Sequence, residues 1–113
     1  METKNIITAL AALAQESRLA IFKQLVQAGP DGLAAGKIAE LTAIAPSSLS
    51  FHLKELLHAN MVNAQQNGRF IIYTANFSTM NAVLQHLTEN CCGGEFCAPE
   101  TNLCCPTSQE KNP

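Results

Sequence analysis

The stretch IAELTAIAPSSLSFHLKELLHANMVNAQQNGRFIIYTAN, residues 38–76, decides the fold. It continues a short helix predicted over about 35–42, with Ile38, Ala39 and Leu41 facing inward. After a brief break at Thr42–Ala45, Pro46 opens a second helix that runs to about Ala59. Proline suits that first position because the first turn of a helix has no use for its N–H. The pattern then changes from the helical repeat to an extended one. Val62–Gln66 and Arg69–Ala75 read as two strands joined at Asn67-Gly68, a dipeptide that suits the positive φ angles of a type I′ turn.

Upstream, Ile6, Ile7, Leu10 and Leu13 predict a first amphipathic helix over 4–15. Ser17 is the expected cap of the next, with Leu19, Phe22, Leu25 and Val26 as its inner stripe and Gly29-Pro30-Asp31-Gly32 as its end. Downstream, a last helix spans roughly 77–90, with Phe77, Met80, Val83, Leu84 and Leu87 on one face. Three helices, a break, a helix, a hairpin and a helix make a mainly α fold with a β-hairpin, laid out as a winged helix-turn-helix. Residues 1–90 are the expected domain. Residues 91–113 lack any helical or strand period, contain Gly93-Gly94 and several Pro and Ser/Thr residues, and are expected to form a flexible tail.

At 113 residues the chain suits a single domain, and its 47% hydrophobic content can fill a core. Only 14% of residues are charged and the net charge is −2, which excludes a protein that coats nucleic acid by charge alone. Five Phe, one Tyr and no Trp argue against single-strand stacking platforms. The six Lys/Arg and five Asp/Glu of residues 1–88 leave the body near neutrality, and the acidic character lies beyond it. No apolar run is long enough for a membrane span and no signal pattern opens the chain, so a cytoplasmic protein without a membrane partner is expected. No Cys-x-x-Cys, βαβ pattern or Cys–His–Asp arrangement supports an enzyme, so no small-molecule substrate is expected.

The helix after Pro46 separates cleanly by angle. Leu49, Leu53, Leu56 and Leu57 share one sector and should face the core. Ser47, Ser48, Phe51, Lys54, Glu55 and His58 lie opposite, with Ser50 and His52 on the flanks. This is the surface a recognition helix offers to the DNA major groove. Ser47, Ser48 and Ser50 suit phosphates or base edges, Lys54 suits phosphate or guanine, and Phe51 can rest on a thymine methyl. His52 completes this face, and Asn67 and Arg69 at the hairpin tip would reach phosphate or the minor groove. With Lys37, Lys54 and Arg69 set against Glu40 and Glu55, one copy would bind DNA weakly. A homodimer on a two-fold operator is therefore expected, with the first and last helices as its contact surface.

LAQESRLAIFKQLV at 13–26, residues 38–62 and QNGRFIIYTAN at 66–76 resemble the ArsR/SmtB family of metal-responsive repressors. The likeness covers about residues 6–90 and implies a homodimeric winged-helix repressor that leaves its operator when an inducer binds. GLAAGKIAEL at 32–41 lacks the Cys-x-Cys that many arsenic-sensing members carry there. Of the zinc-sensing pattern only His86 and Glu89 remain. TENCCGGEFC at 88–97 instead resembles arsenite repressors with vicinal cysteines after the last helix and a third shortly beyond.

All five cysteines lie in residues 91–105, and residues 1–90 contain none. Arsenite and antimonite exchange oxygen for soft thiolates, three of which complete a pyramid. Cys91 and Cys92 would supply two, and Gly93-Gly94 would let the chain turn so that Cys97 supplies the third. Cys104 and Cys105 are an alternative or accessory donor pair. With them zinc could find four ligands, so a zinc-responsive repressor of the same fold stays open, as does a thiol-redox-responsive one. A disulfide framework is not expected from adjacent cysteines, an odd count and the absence of a secretory signal.

Overall fold

A computed structural model describes residues 2–91. Its elements are α1 (Thr3–Leu13), α2 (Glu16–Ala28), a 3₁₀ turn (Gly29–Asp31), β1 (Leu33–Ala34), α3 (Ala35–Thr42), α4 (Pro46–His58), β2 (Val62–Asn67), β3 (Phe70–Ala75) and α5 (Phe77–Leu87). The predicted winged helix-turn-helix order is present. Cys92, Cys97, Cys104 and Cys105 lie outside the described residues.

The core gathers one stripe from every helix. Ile6 and Ala9 of α1, Ile21 and Leu25 of α2, Ile38 of α3, Leu49, Leu53 and Leu56 of α4, and Val83 of α5 are buried together with Met61, Val62 and Ala75. Each fully buried Leu or Ile stabilises the fold by about 1.5–3 kcal/mol. α4 packs on α1, α2, α3 and β2, so its orientation is set from several sides.

Several local expectations are corrected. α2 is capped by Gln15, whose side chain accepts the Arg18 N–H at 2.9 Å, and not by Ser17, which lies inside the helix. The inner stripe of α2 is centred on Ile21, Phe22 and Leu25, while Leu19 is exposed. Leu19 lies ~120° around the helix from Leu25, at the edge of the apolar sector. Leu41 and Leu57 are likewise exposed edge residues of α3 and α4. α5 is shorter than predicted and closes at Thr88, whose hydroxyl donates to the Leu84 carbonyl at 2.8 Å.

The hairpin turns on Gly68-Arg69, because Asn67 already pairs with Phe70 across the strands. Positive φ falls on Gly68 (67°) and not on Asn67, the pattern of a type II′ turn and not of type I′. The two-residue strand β1, which the sequence did not announce, adds to the far side of β3 in an antiparallel sheet of order β1-β3-β2. Gly32 delivers it: with φ at 69°, a Cβ there would overlap the Tyr73 carbonyl oxygen and come within 2.6 Å of Thr74 Cγ2.

Gly32→Ala is therefore expected to cost about 2–3 kcal/mol, from backbone strain together with overlap. Gly36→Ala, in α3 with open space around it, is expected to be neutral or to stabilise by up to about 0.5–1 kcal/mol. Urea unfolding of both variants at one protein concentration checks the contrast.

Candidate nucleic-acid interface

The turn between α3 and α4 depends on Ala43. Its φ of 59° is left-handed, and its N–H returns to the Ala39 carbonyl at 2.8 Å. Ala45 then stands as the N-cap in extended conformation, and the Leu49 N–H reaches its carbonyl at 2.8 Å. This turn sets α4 against α3 with Leu49, Leu53 and Leu56 inward.

The same rotation places Ser47, Ser48, Ser50, Phe51 and Lys54 on the exposed side, together with His58. Glu55 is half-buried. Phe51 is 56% exposed, although a phenyl ring loses most from contact with water. Lys54 makes no ion pair among the described residues; the surface pair there, Lys37–Glu40 at 3.7 Å, leaves it free to meet an anion. The outward surface is thus hydroxyl-rich and carries one ammonium and one apolar ring.

His52 is placed differently from its neighbours. It is half-buried, with Nδ1 3.5 Å from Nη1 of Arg18, and its ring meets Phe51 edge-on at a centroid distance of 5.6 Å and an interplanar angle of 64°. It therefore looks toward α2 as well as outward. Arg18 had no place in the sequence-based site, because nothing in the local pattern links residues so far apart in the chain.

At the wing, Asn67 and Arg69 are both exposed. Gln66 Nε2 donates to the Gly68 carbonyl at 3.2 Å and braces the turn. Phe70 beside them is 64% exposed, a residue the sequence reading passed over. Its signal was available: an aromatic next to the only arginine of the hairpin, at the end that the turn projects.

Beyond α5, Asn90 adopts a left-handed φ of 56° and the Cys91 N–H donates to the Thr88 carbonyl at 2.9 Å. Half-buried Cys91 is thereby held about one turn past the helix end. Metal chemistry at its sulfur requires the reduced thiol. His86 and Glu89 line a shallow depression with Ala82 and Gln85, and no group of three metal-ligating side chains forms among the described residues.

A helix packed across a tight turn from a second, outward-facing helix, flanked by a β-hairpin, defines a winged helix-turn-helix DNA-binding domain. A family model described as a helix-turn-helix domain matches residues 13–64. The arsenical resistance operon repressor of Bacillus subtilis (strain 168) is 35% identical over 81 residues, covering 72% of this chain and 73% of its own. Among solved structures, an ArsR-like transcriptional regulator from Rhodococcus sp. RHA1 superposes with a TM-score of 0.67 at 25% identity, over 74% of this chain and 76% of that one. A homodimeric winged helix-turn-helix DNA-binding domain from Mycobacterium bovis shares the fold, with a TM-score of 0.61 at 21% identity over 84% and 89% of the two chains. The chain belongs to the ArsR family: it is a DNA-binding transcriptional repressor and not an enzyme. No helix among the described residues is long and apolar enough to cross a membrane.

Two substitutions separate the outward face of α4 from its packing face. Phe51→Ala is expected to leave the unfolding free energy within about 0.5 kcal/mol of the wild type. Leu53→Ala, at a position 2% exposed, is expected to cost about 2–5 kcal/mol. Chemical denaturation of the reduced protein measures both.

Proposed function

We propose that this chain is a homodimeric operator-binding repressor that is released from DNA when trivalent arsenic or antimony binds Cys91, Cys92 and Cys97. The observation that carries this reading is the placement of Cys91 just beyond α5, followed in sequence by Cys92 and, five residues further, by Cys97. The similarity to a relative named an arsenical resistance operon repressor supports it. The donor set fits the ligand. Three soft sulfurs satisfy a pyramidal trivalent centre without a fourth ligand, and reduced thiols displace its oxygens readily. Cys104 and Cys105 are accessory in this reading.

The surface chemistry supports dimerisation. Ile7 and Leu10 of α1 and Leu87 of α5 are exposed, the two helices touch, and a second copy would cover both. The Mycobacterium bovis domain, itself homodimeric, supports a two-copy state. Two copies bring two α4 helices and two wings to one operator, so Ser47, Ser48, Ser50, Phe51, Lys54, Asn67 and Arg69 act twice. Modest charge per copy then suffices. A ligand gathered at the end of α5 alters the helix that meets α1 and the partner, and so changes the spacing of the two reading helices. Linkage requires operator DNA to weaken ligand binding by the same factor.

The clustering of all five cysteines within residues 91–105 favours one second reading, a repressor released by thiol oxidation. Fluorescence anisotropy separates the two. A duplex from the region upstream of the protein's own coding sequence is titrated with reduced protein, then with arsenite, antimonite, zinc or an oxidant. Release by arsenite or antimonite, lost in Cys91→Ser while operator affinity is kept, is the expected result. Release by oxidant alone or zinc alone would overturn the proposed inducer and keep the DNA reading.

Lys54→Gln is expected to weaken operator binding and to reduce the slope of log affinity against log salt by about 1 per protomer. Phe51→Ala is expected to weaken binding with the salt slope unchanged, since its contact releases no counterion. Titrations at several salt concentrations read both effects.

A further inference from the structure

Arg18 lies in the first turn of α2 and is committed in two directions. Its Nε donates to the Ala12 carbonyl oxygen at 2.7 Å, satisfying an acceptor that the end of α1 leaves without a helical partner. Its Nη1 stands 3.5 Å from Nδ1 of His52 on α4. A guanidinium only donates, so a hydrogen bond across this contact has Nδ1 as its acceptor. His52 in turn meets the Phe51 ring edge-on, 5.6 Å between centroids. The contacts form one line from the end of α1, through α2, to the outermost ring of the α4 surface. Both contacts are part-buried, and Arg18 makes no ion pair with a carboxylate among the described residues.

We propose that Arg18 is a positioning residue for operator binding: it holds His52, and through His52 the Phe51 ring, in the orientation in which α4 meets DNA. This rests on the reading of α4 as the DNA-facing helix. His52 then acts as a buttress and not as a reader of bases. The same guanidinium ties that orientation to the end of α1, the helix that touches α5.

The test is a double-mutant cycle on the full, reduced chain, with operator affinity read by anisotropy at a single salt concentration. The variants are Arg18→Gln, His52→Gln, the double substitution and Arg18→Lys, with urea midpoints measured alongside. Arg18→Gln and His52→Gln are each expected to weaken operator binding about tenfold, and the double variant no more than either alone. His52→Gln should leave the urea midpoint in place, and Arg18→Gln should move the His52 ring-nitrogen resonances. Arg18→Lys keeps one donor for Ala12 but lacks the fork that reaches His52. It should fold like the wild type and bind as weakly as Arg18→Gln, which keeps the test decisive if the glutamine variant does not fold. Normal operator affinity in a folded Arg18 variant, or in His52→Gln, would overturn the proposal. So would independent losses that multiply to about a hundredfold in the double variant. A wild-type chain that fails to bind the operator would instead overturn the DNA-facing reading on which the proposal rests.

Discussion

Burial of Leu49, Leu53 and Leu56 at one side of α4 is the constraint on which the rest depends. A helix has no freedom to roll once three large apolar side chains are locked between α2, α3 and the start of β2. What stands opposite is then fixed in direction, and here it is a row of serines, a lysine and a phenyl ring. The turn at Ala43 and the N-cap at Ala45 serve the same end, since they decide where along α3 the new helix begins. The protein spends a left-handed alanine, a conformation that costs an ordinary residue about 1 kcal/mol or more, to make that corner tight.

The wing and the far end of the chain hang from the same core. Met61, Val62 and Ala75 are buried at the base of the hairpin, and the Asn76 N–H donates to the Met61 carbonyl at 2.8 Å where α5 begins. The hairpin tip is therefore displayed from a rigid base while its own residues stay in solvent. α5 starts from the same junction, with Asn76 accepting the Thr79 N–H, and carries Cys91 to the opposite end of the helix. Of this helix only Thr79 and Val83 are fully buried, with Phe77 and Met80 packed partly against the core.

Within this scaffold charge has a secondary part. The exposed Lys37–Glu40 pair contributes little, and the body is close to neutral. Affinity for a polyanion then comes from doubling the interface and from orientation of side chains that carry no charge. With few cations available, the geometry of groups such as the Phe51 ring and the His52 imidazole counts for more in the proposed reading.

By itself the sequence determined the order of the five helices and the hairpin, the limits of α3 and α4, the outward set Ser47, Ser48, Ser50, Phe51 and Lys54, and the cysteine cluster after the last helix. These are local properties, written in periodicity, in a proline at a helix start and in residue spacing. Turn chemistry misled at Asn67, because Asn-Gly fits more than one hairpin turn and only the cross-strand pairing of Asn67 with Phe70 selects between them. Edge leucines such as Leu19 and Leu57 were assigned inward because periodicity gives a sector and not its width, which depends on what packs alongside. The strand β1, the exposed Phe70 and the link from Arg18 to His52 were decided by tertiary structure alone. Each is a meeting of segments distant in the chain, or a failure to meet, and no local pattern encodes which distant side chain will be near once the helices have packed.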